Sequence, residues 1–376
     1  MINIGYVIDT IETSNAGTEK QLLMLIENLD KNRFSPHLIC LRNSIWLKKC
    51  KLAFPVVIID LPSFKSLNLS RAFITFKRYC EKYDIDMIQT FFRDANIFGT
   101  LAAYLSRVNI IISSRRNYGL GYWHNNYWLI IMKALRHITS CYIANSRITA
   151  DYTAMSENVS KDKIHVIYNG LYLERFKQIT HDERKSYRSS IGIKPNHIFI
   201  GAVANLRTIK NFSLFIRVAA ISHKKYPHAR FIIVGDGPEK ETLEKMILDY
   251  CLEHVFILAG QQDNVFPFLS SMDIGVLCSK SESLSNSIIE YMAAGLPCVV
   301  SDAGGNSEAV GYKHGFLFKS DDEKDFFTKL EPLIADEQLR LNTGQAAKAY
   351  AFSKYDHKEI VKQNQEIYCK YYQTIA

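Results

Sequence analysis

Short runs of β-branched and other apolar residues alternate along this chain with longer stretches in which apolar positions recur every three to four residues. Runs of the first kind fill 2–8, 36–41, 55–60, 86–90, 109–114, 140–144 and 164–167. They resume at 198–204, 230–234, 255–258, 274–278, 297–300 and 316–318. Near-continuous hydrophobicity of this kind marks strands covered on both faces. The amphipathic stretches predict helices over 18–30, 69–83, 95–107, 124–137 and 147–157 in the first half. In the second half they predict helices over 210–226, 238–251, 285–294, 322–335 and 337–351, with a last one at 357–372. Strand and helix alternating at this spacing predict parallel βαβ units, and so an α/β protein of two Rossmann-like, doubly wound domains facing across a cleft.

The polar stretch 178–196 interrupts the rhythm and is read as an interdomain linker. It separates an N-terminal domain (1–177) from a C-terminal one (197–352), and the segment 353–376 is expected to cross back to the first. Ligands of open α/β sheets bind beyond the carboxyl ends of the strands, so chemistry is sought there.

Composition changes this picture little. Apolar residues make up 47% and charged residues 22%, ordinary for a globular chain. The eight cysteines are scattered without a CxxC pair, which predicts buried thiols in a reducing compartment and no zinc site. The first residues read as a buried strand rather than a signal peptide, and no apolar run approaches the ~20 residues that span a bilayer. A cytoplasmic position is therefore expected. Charge says more. Residues 1–180 carry 23 basic against 14 acidic residues, while residues 181–376 carry 23 against 24. The net +8 thus lies wholly in the first half, where a phosphate-bearing acceptor or the anionic inner face of a cell membrane is expected to be met. A plain solubilising surface is the competing reading. Nucleic acid is not among the expected partners.

The strongest chemical constellation is Glu282-Ser283-Leu284-Ser285-Asn286-Ser287-Ile288-Ile289-Glu290. Glu282 falls on the loop after the strand 274–278, and Glu290 inside the next helix, about two turns on and on the same side. Ile288, Ile289 and Met292 surround Glu290 with apolar residues, so that carboxylate is expected to face something other than bulk water. Two glutamates at this spacing, followed by Ala293-Ala294-Gly295-Leu296-Pro297, resemble the signature of the retaining glycosyltransferases of family 4, which have the GT-B fold. Ser301-Asp302-Ala303-Gly304-Gly305-Asn306 also resembles that family's next segment.

The resemblance runs along nearly the whole chain. Asn15-Ala16-Gly17-Thr18-Glu19 resembles the glycine-rich loop after the first strand, with Ala16 in place of a first glycine, and implies that Gly17 borders the donor diphosphate. Ile167-Tyr168-Asn169-Gly170 resembles the family's turn near the hinge. Val234-Gly235-Asp236-Gly237-Pro238 resembles a Gly-x-Gly-Pro turn, read as structural first and as lining the base pocket second; Pro238 is expected to open the next helix. In Asn205-Leu206-Arg207-Thr208-Ile209-Lys210, Lys210 matches the family lysine. Asn205 stands at the family arginine, with Arg207 displaced by two.

The roles implied are these. Lys210, with Arg207, stabilises the leaving diphosphate; Glu282 positions the sugar, and Glu290 the ribose hydroxyls. Ser283, Leu284 and Ser285 complete the donor loop with Asn205, Gly235 and Gly237. Acceptor contacts are expected from Arg93 and Asn96 after strand 86–90, and from Arg115, Arg116, Tyr118 and His124 after strand 109–114. A family histidine is missing there.

The reaction implied moves a hexose-type sugar, with retention, from a nucleotide-diphosphate donor, UDP- or GDP-linked, to a hydroxyl of a glycan or polyprenyl-linked glycan. The family needs no metal or other cofactor. A nucleotide-sugar epimerase of the same fold and a non-catalytic glycan-binding module are the alternatives.

Overall fold

The computed structural model describes residues 1–14, 17–66, 68–117, 126–176, 180–311 and 314–374. They form two compact units. The first takes in Met1–Gly170 together with the terminal helix His357–Tyr372, and the second spans Leu171–Asp356.

In the first unit the strands are β1 (Ile2–Ile8), β2 (Phe34–Cys40), β3 (Val56–Ile58), β4 (Met87–Phe91), β5 (Ile110–Arg115), β6 (Cys141–Ala144) and β7 (Ile164–Val166). They lie all parallel in the order β3-β2-β1-β4-β5-β6-β7. The second unit holds β8 (Ile198–Val203), β9 (Ala229–Val234), β10 (Phe256–Leu258), β11 (Ile274–Leu277), β12 (Cys298–Ser301) and β13 (Gly315–Phe318). Their order is β10-β9-β8-β11-β12-β13, again parallel. Strand order therefore reverses between β1 and β4 in one sheet, and between β8 and β11 in the other. Beyond the carboxyl ends of such a pair, helices diverge to opposite faces and leave a crevice.

Each sheet has its own core. In the second unit Phe215, Phe231, Phe256, Phe318 and Phe326 pack beneath the sheet, with Phe318 and Phe326 stacked 4.3 Å apart. In the first, helix Gly17–Glu27 contributes Leu22 and Ile26 to one face, and Phe76 and Phe98 cover the other. The terminal helix belongs to that first core through Ile360, Val361 and Tyr368. Tyr368 is fully buried, accepts from the Tyr6 hydroxyl at 3.3 Å and donates to Gln89 Oε1.

The stretch 178–196, expected as a linker, instead carries the helix His181–Ser190. Thr180 and Glu183 close a capping box at its start. Arg184 and Arg188 both pair with Asp273, and Arg188 also donates to the His197 carbonyl at 2.7 Å. The polarity that suggests a linker comes partly from arginines spent on binding this helix to the second unit. A second difference is small: Pro238 lies two residues before the helix Lys240–Asp249 rather than opening it.

Candidate active site

The second unit gathers its chemistry at the ends of β8 and β11. After β8 the chain makes a short turn, Thr208–Lys210, before the helix Phe212–Lys225. The Lys280 amide donates to the Ile209 carbonyl at 2.8 Å, tying this turn to the loop after β11. That tie brings Lys210 against Glu282: the ammonium donates to Oε1, the same oxygen that accepts from Ser279 Oγ at 2.7 Å. Both side chains are only partly exposed. The Gly305 amide donates to the Glu282 carbonyl at 3.0 Å, so backbone and carboxylate are both held.

Glu290 sits on the helix Asn286–Ala293 and is buried, as are Ile288, Ile289 and Met292 of the same helix. That helix is clamped to the end of β8: Ser287 Oγ donates to the Val203 carbonyl at 2.6 Å, and the Val203 amide donates to the Tyr291 hydroxyl at 2.7 Å. Leu284 and Ser285 are buried where it begins, next to Ser283, and Ser285 is its N-cap without a side-chain capping bond.

Gly235 and Gly237 have a backbone reason to be glycine. Their φ angles are +148° and +158°, and an added Cβ would lie 2.0 Å from the Ala204 carbonyl oxygen and 2.5 Å from that of Leu206. Close approach lets the turn after β9 lie on the turn after β8, where Leu206 N donates to Asp236 O at 2.9 Å and Glu239 N to Leu206 O at 3.0 Å. Asn205 is exposed on this turn. Arg207 is exposed on the same turn. It lines a pocket of about 280 Å³ with Arg217, Lys280 and Asp321 at the head of helix Phe212–Lys225, a pocket that Lys210 and Glu282 do not line.

The first unit carries the remaining candidates. Gly17 opens helix Gly17–Glu27, whose Gln21 exchanges two 2.8 Å hydrogen bonds with the Gly170 backbone. Arg116, beyond β5, donates to Asn169. Burial pushes its guanidinium down to about 10, with Glu19 of the same helix acting in the opposite sense.

Two acceptor candidates are buried and paired within the protein. Arg115 is buried and bidentate on Glu157, with both bonds at 2.8 Å, and its guanidinium lies over the Tyr142 ring. Asn96 is buried too: its Oδ1 accepts from Thr90 Oγ1 at 2.6 Å and Ser113 Oγ at 3.0 Å, and its Nδ2 donates to Ser114 O. Partners inside the protein take up most of the hydrogen-bonding capacity of both, and so fix their place in the fold. Both border one small pocket together with Arg116, Tyr152 and Phe92. Phe92 adopts φ +70°, a strained conformation for an aromatic residue. Arg93 pairs with Asp94 and lies over Trp128. Tyr118 and His124 lie outside the described residues, as does Ala16. Among the described residues no three His, Cys, Asp or Glu side chains converge as a metal site, and no helix is long and apolar enough to cross a membrane.

Sequence reasoning missed Ser279, Ser301 and Asn306, buried beneath Glu282. Their only signal was a small polar residue at each of two strand ends and after a Gly-Gly pair.

Comparison with known proteins bears on this arrangement. Residues 183–350 match the family model for glycosyl transferases group 1, and residues 16–175 that for glycosyltransferase family 4. Over 229 residues the chain is 28% identical to N-acetyl-alpha-D-glucosaminyl L-malate synthase of Bacillus anthracis, a match over 60% of this chain and 58% of that one. It is 25% identical to N-acetylgalactosamine-N,N'-diacetylbacillosaminyl-diphospho-undecaprenol 4-alpha-N-acetylgalactosaminyltransferase of Campylobacter jejuni, over 90% of this chain and 93% of that one. To UDP-Gal:alpha-D-GlcNAc-diphosphoundecaprenol alpha-1,3-galactosyltransferase of Escherichia coli it is 26% identical, over 87% of each. Anabaena HepE in complex with UDP superposes with a TM-score of 0.86 at 20% identity, covering 98% of this chain and all of that one. The epimerase alternative finds no counterpart among these relatives. With one family model on each unit and the paired glutamates and lysine together on the second, the chain belongs to the family 4 glycosyltransferases and has their two Rossmann-like GT-B domains.

Proposed function

We propose that this enzyme transfers a hexose-type sugar, with retention, from a UDP-sugar to a hydroxyl of a polyprenyl-diphosphate-linked glycan. The observation that carries this reading is Lys210 set against Glu282 at the end of β11, a cation beside a carboxylate at the strand-order reversal of the second sheet. In the reaction the bond from the anomeric carbon to the diphosphate oxygen breaks. The acceptor oxygen bonds that carbon on the same face, and its proton passes to the departing diphosphate. Lys210 neutralises charge developing on that diphosphate. Glu282 accepts from a sugar hydroxyl and Glu290 from the ribose. Lys210 supplies the cationic charge, and we read the reaction as needing no metal. UDP is favoured by the complex of HepE, and a lipid-linked acceptor by the names of the Campylobacter and Escherichia relatives. The partly buried Arg116 and the turn at Asn169 shape the first unit's site edge. That unit is also read as resting on the inner face of the cell membrane, in keeping with its positive charge.

A thermal-shift series with UDP-, GDP-, ADP- and dTDP-sugars tests the donor, since a ligand that binds only the folded state raises its melting temperature. A shift with UDP-sugars, followed by UDP release that needs a polyprenyl-linked saccharide, is the expected result. A shift confined to GDP-sugars would overturn the donor, and a donor bound but never turned over would point to a binding module.

A further inference from the structure

The carboxylate of Glu282 is held from one side. Oε1 accepts from both Lys210 and Ser279, whereas Oε2 meets no donor among the described residues. Behind Ser279 runs a chain of polar groups. Ser301 Oγ donates to the Ser279 carbonyl at 2.6 Å, and Asn306 Nδ2 donates to the Ser301 carbonyl at 3.2 Å and to its Oγ at 3.4 Å. All three residues are 0% exposed.

Burying polar side chains is unfavourable unless their bonds are made, and Cys278 and Val300 alongside show that these strand ends accept apolar residues. The Ser301 proton is committed to the Ser279 carbonyl, which fixes the Ser279 peptide. The Ser279 proton is thereby aimed at Glu282. Lys210 is the other restraint on that carboxylate, and a donor diphosphate competes for it.

We infer that Ser279, backed by Ser301 and Asn306, is a positioning residue for the donor sugar. It keeps Oε1 pinned once Lys210 turns to the diphosphate, and so presents Oε2 to a sugar hydroxyl. This rests on the donor reading given above. In its absence the glutamate regains rotamers that must be frozen again in the transition state.

The test compares wild type with Ser279→Ala and Ser279→Cys, the latter keeping a weak donor, using UDP and UDP-glucose as probes. Ser279→Ala is expected to lower kcat/KM for UDP-glucose by about tenfold or more, the worth of a hydrogen bond to a charged acceptor. The dissociation constant of UDP, which lacks the sugar, should stay within about twofold, and Ser279→Cys should fall between the two. Melting curves report whether each variant is folded; if the alanine variant is not, the cysteine variant carries the same comparison. An unchanged kcat/KM, or equal losses for UDP and UDP-glucose, would overturn the inference. Failure of the donor reading shows in the wild type itself, which would then release no UDP.

Discussion

Lys210 and Arg115 are both paired cations, and their environments give them opposite roles. Lys210 and Glu282 keep about a fifth and an eighth of their side-chain surface exposed, so each retains some access to water when the other is removed. Lys210→Ala should therefore lower the melting temperature less than Glu157→Ala does. It should lower kcat/KM by about 10²–10³, as loss of a preorganised charge at a departing group does. A variant with wild-type turnover would remove Lys210 from the diphosphate. Arg115 and Glu157 are each 6% exposed in their side chains. Burial works against the Arg115 charge and Glu157 more than offsets it, leaving the guanidinium protonated. Glu157→Ala strands that charge and is expected to cost about 3–5 kcal/mol in urea unfolding. A second change, Arg115→Leu, should restore much of the loss, because the buried charge goes with it. A double variant no more stable than the single one would argue against this account.

Among the elements, the turn after β9 decides whether the turn carrying Lys210 is placed at all. Gly235→Ala sets a Cβ against the Ala204 carbonyl, which is backbone and cannot swing away. The expected outcome is a lower melting temperature together with weaker UDP binding, because the 205–210 turn moves with its neighbour. UDP affinity equal to wild type in Gly235→Ala would separate the two turns.

Much at this scale was legible beforehand: every expected strand is found within two residues of its expected bounds, because buried parallel strands write continuous apolar runs. Among the described residues, four α-helices were not legible. Ile45–Lys49, Phe266–Ser271 and Asn306–Val310 are too short to show a 3.6-residue period, and His181–Ser190 docks through arginines instead of an apolar stripe. The site divided in the same way. The spacing of Glu282 and Glu290 survives in sequence because one loop and one helix carry both. The pairing of Arg115 with Glu157 spans 42 residues, and the Asn306–Ser301–Ser279 chain joins two strand ends, so neither leaves a local pattern.

Over the whole molecule the asymmetry of charge finds a surface to act on. Between residues 95 and 150 there are six basic residues and no acidic one. The helices Arg93–Leu105 and Asn126–Leu135, which pack on each other, expose Tyr104 (55%), Leu105 (56%), Tyr127 (61%) and Ile130 (65%). Arg107, Lys133 and Arg136 lie on or just beyond these helices, each with at least part of its side chain in solvent. Exposed apolar side chains on helices that also carry cations suit an anionic bilayer: the former can enter the interface, and each of the latter adds about 1 kcal/mol at the lipid surface. In flotation assays the protein should rise with vesicles containing phosphatidylglycerol and stay behind with neutral phosphatidylcholine. Rising salt should release it as the Debye length shortens. Tyr127→Ser with Ile130→Ser should abolish flotation while leaving UDP release in detergent unchanged, since neither residue lies in the donor site. Equal flotation of that double variant and wild type would place the attachment elsewhere. Flotation indifferent to lipid charge would mean that the basic first half serves a phosphate-bearing acceptor and not the membrane.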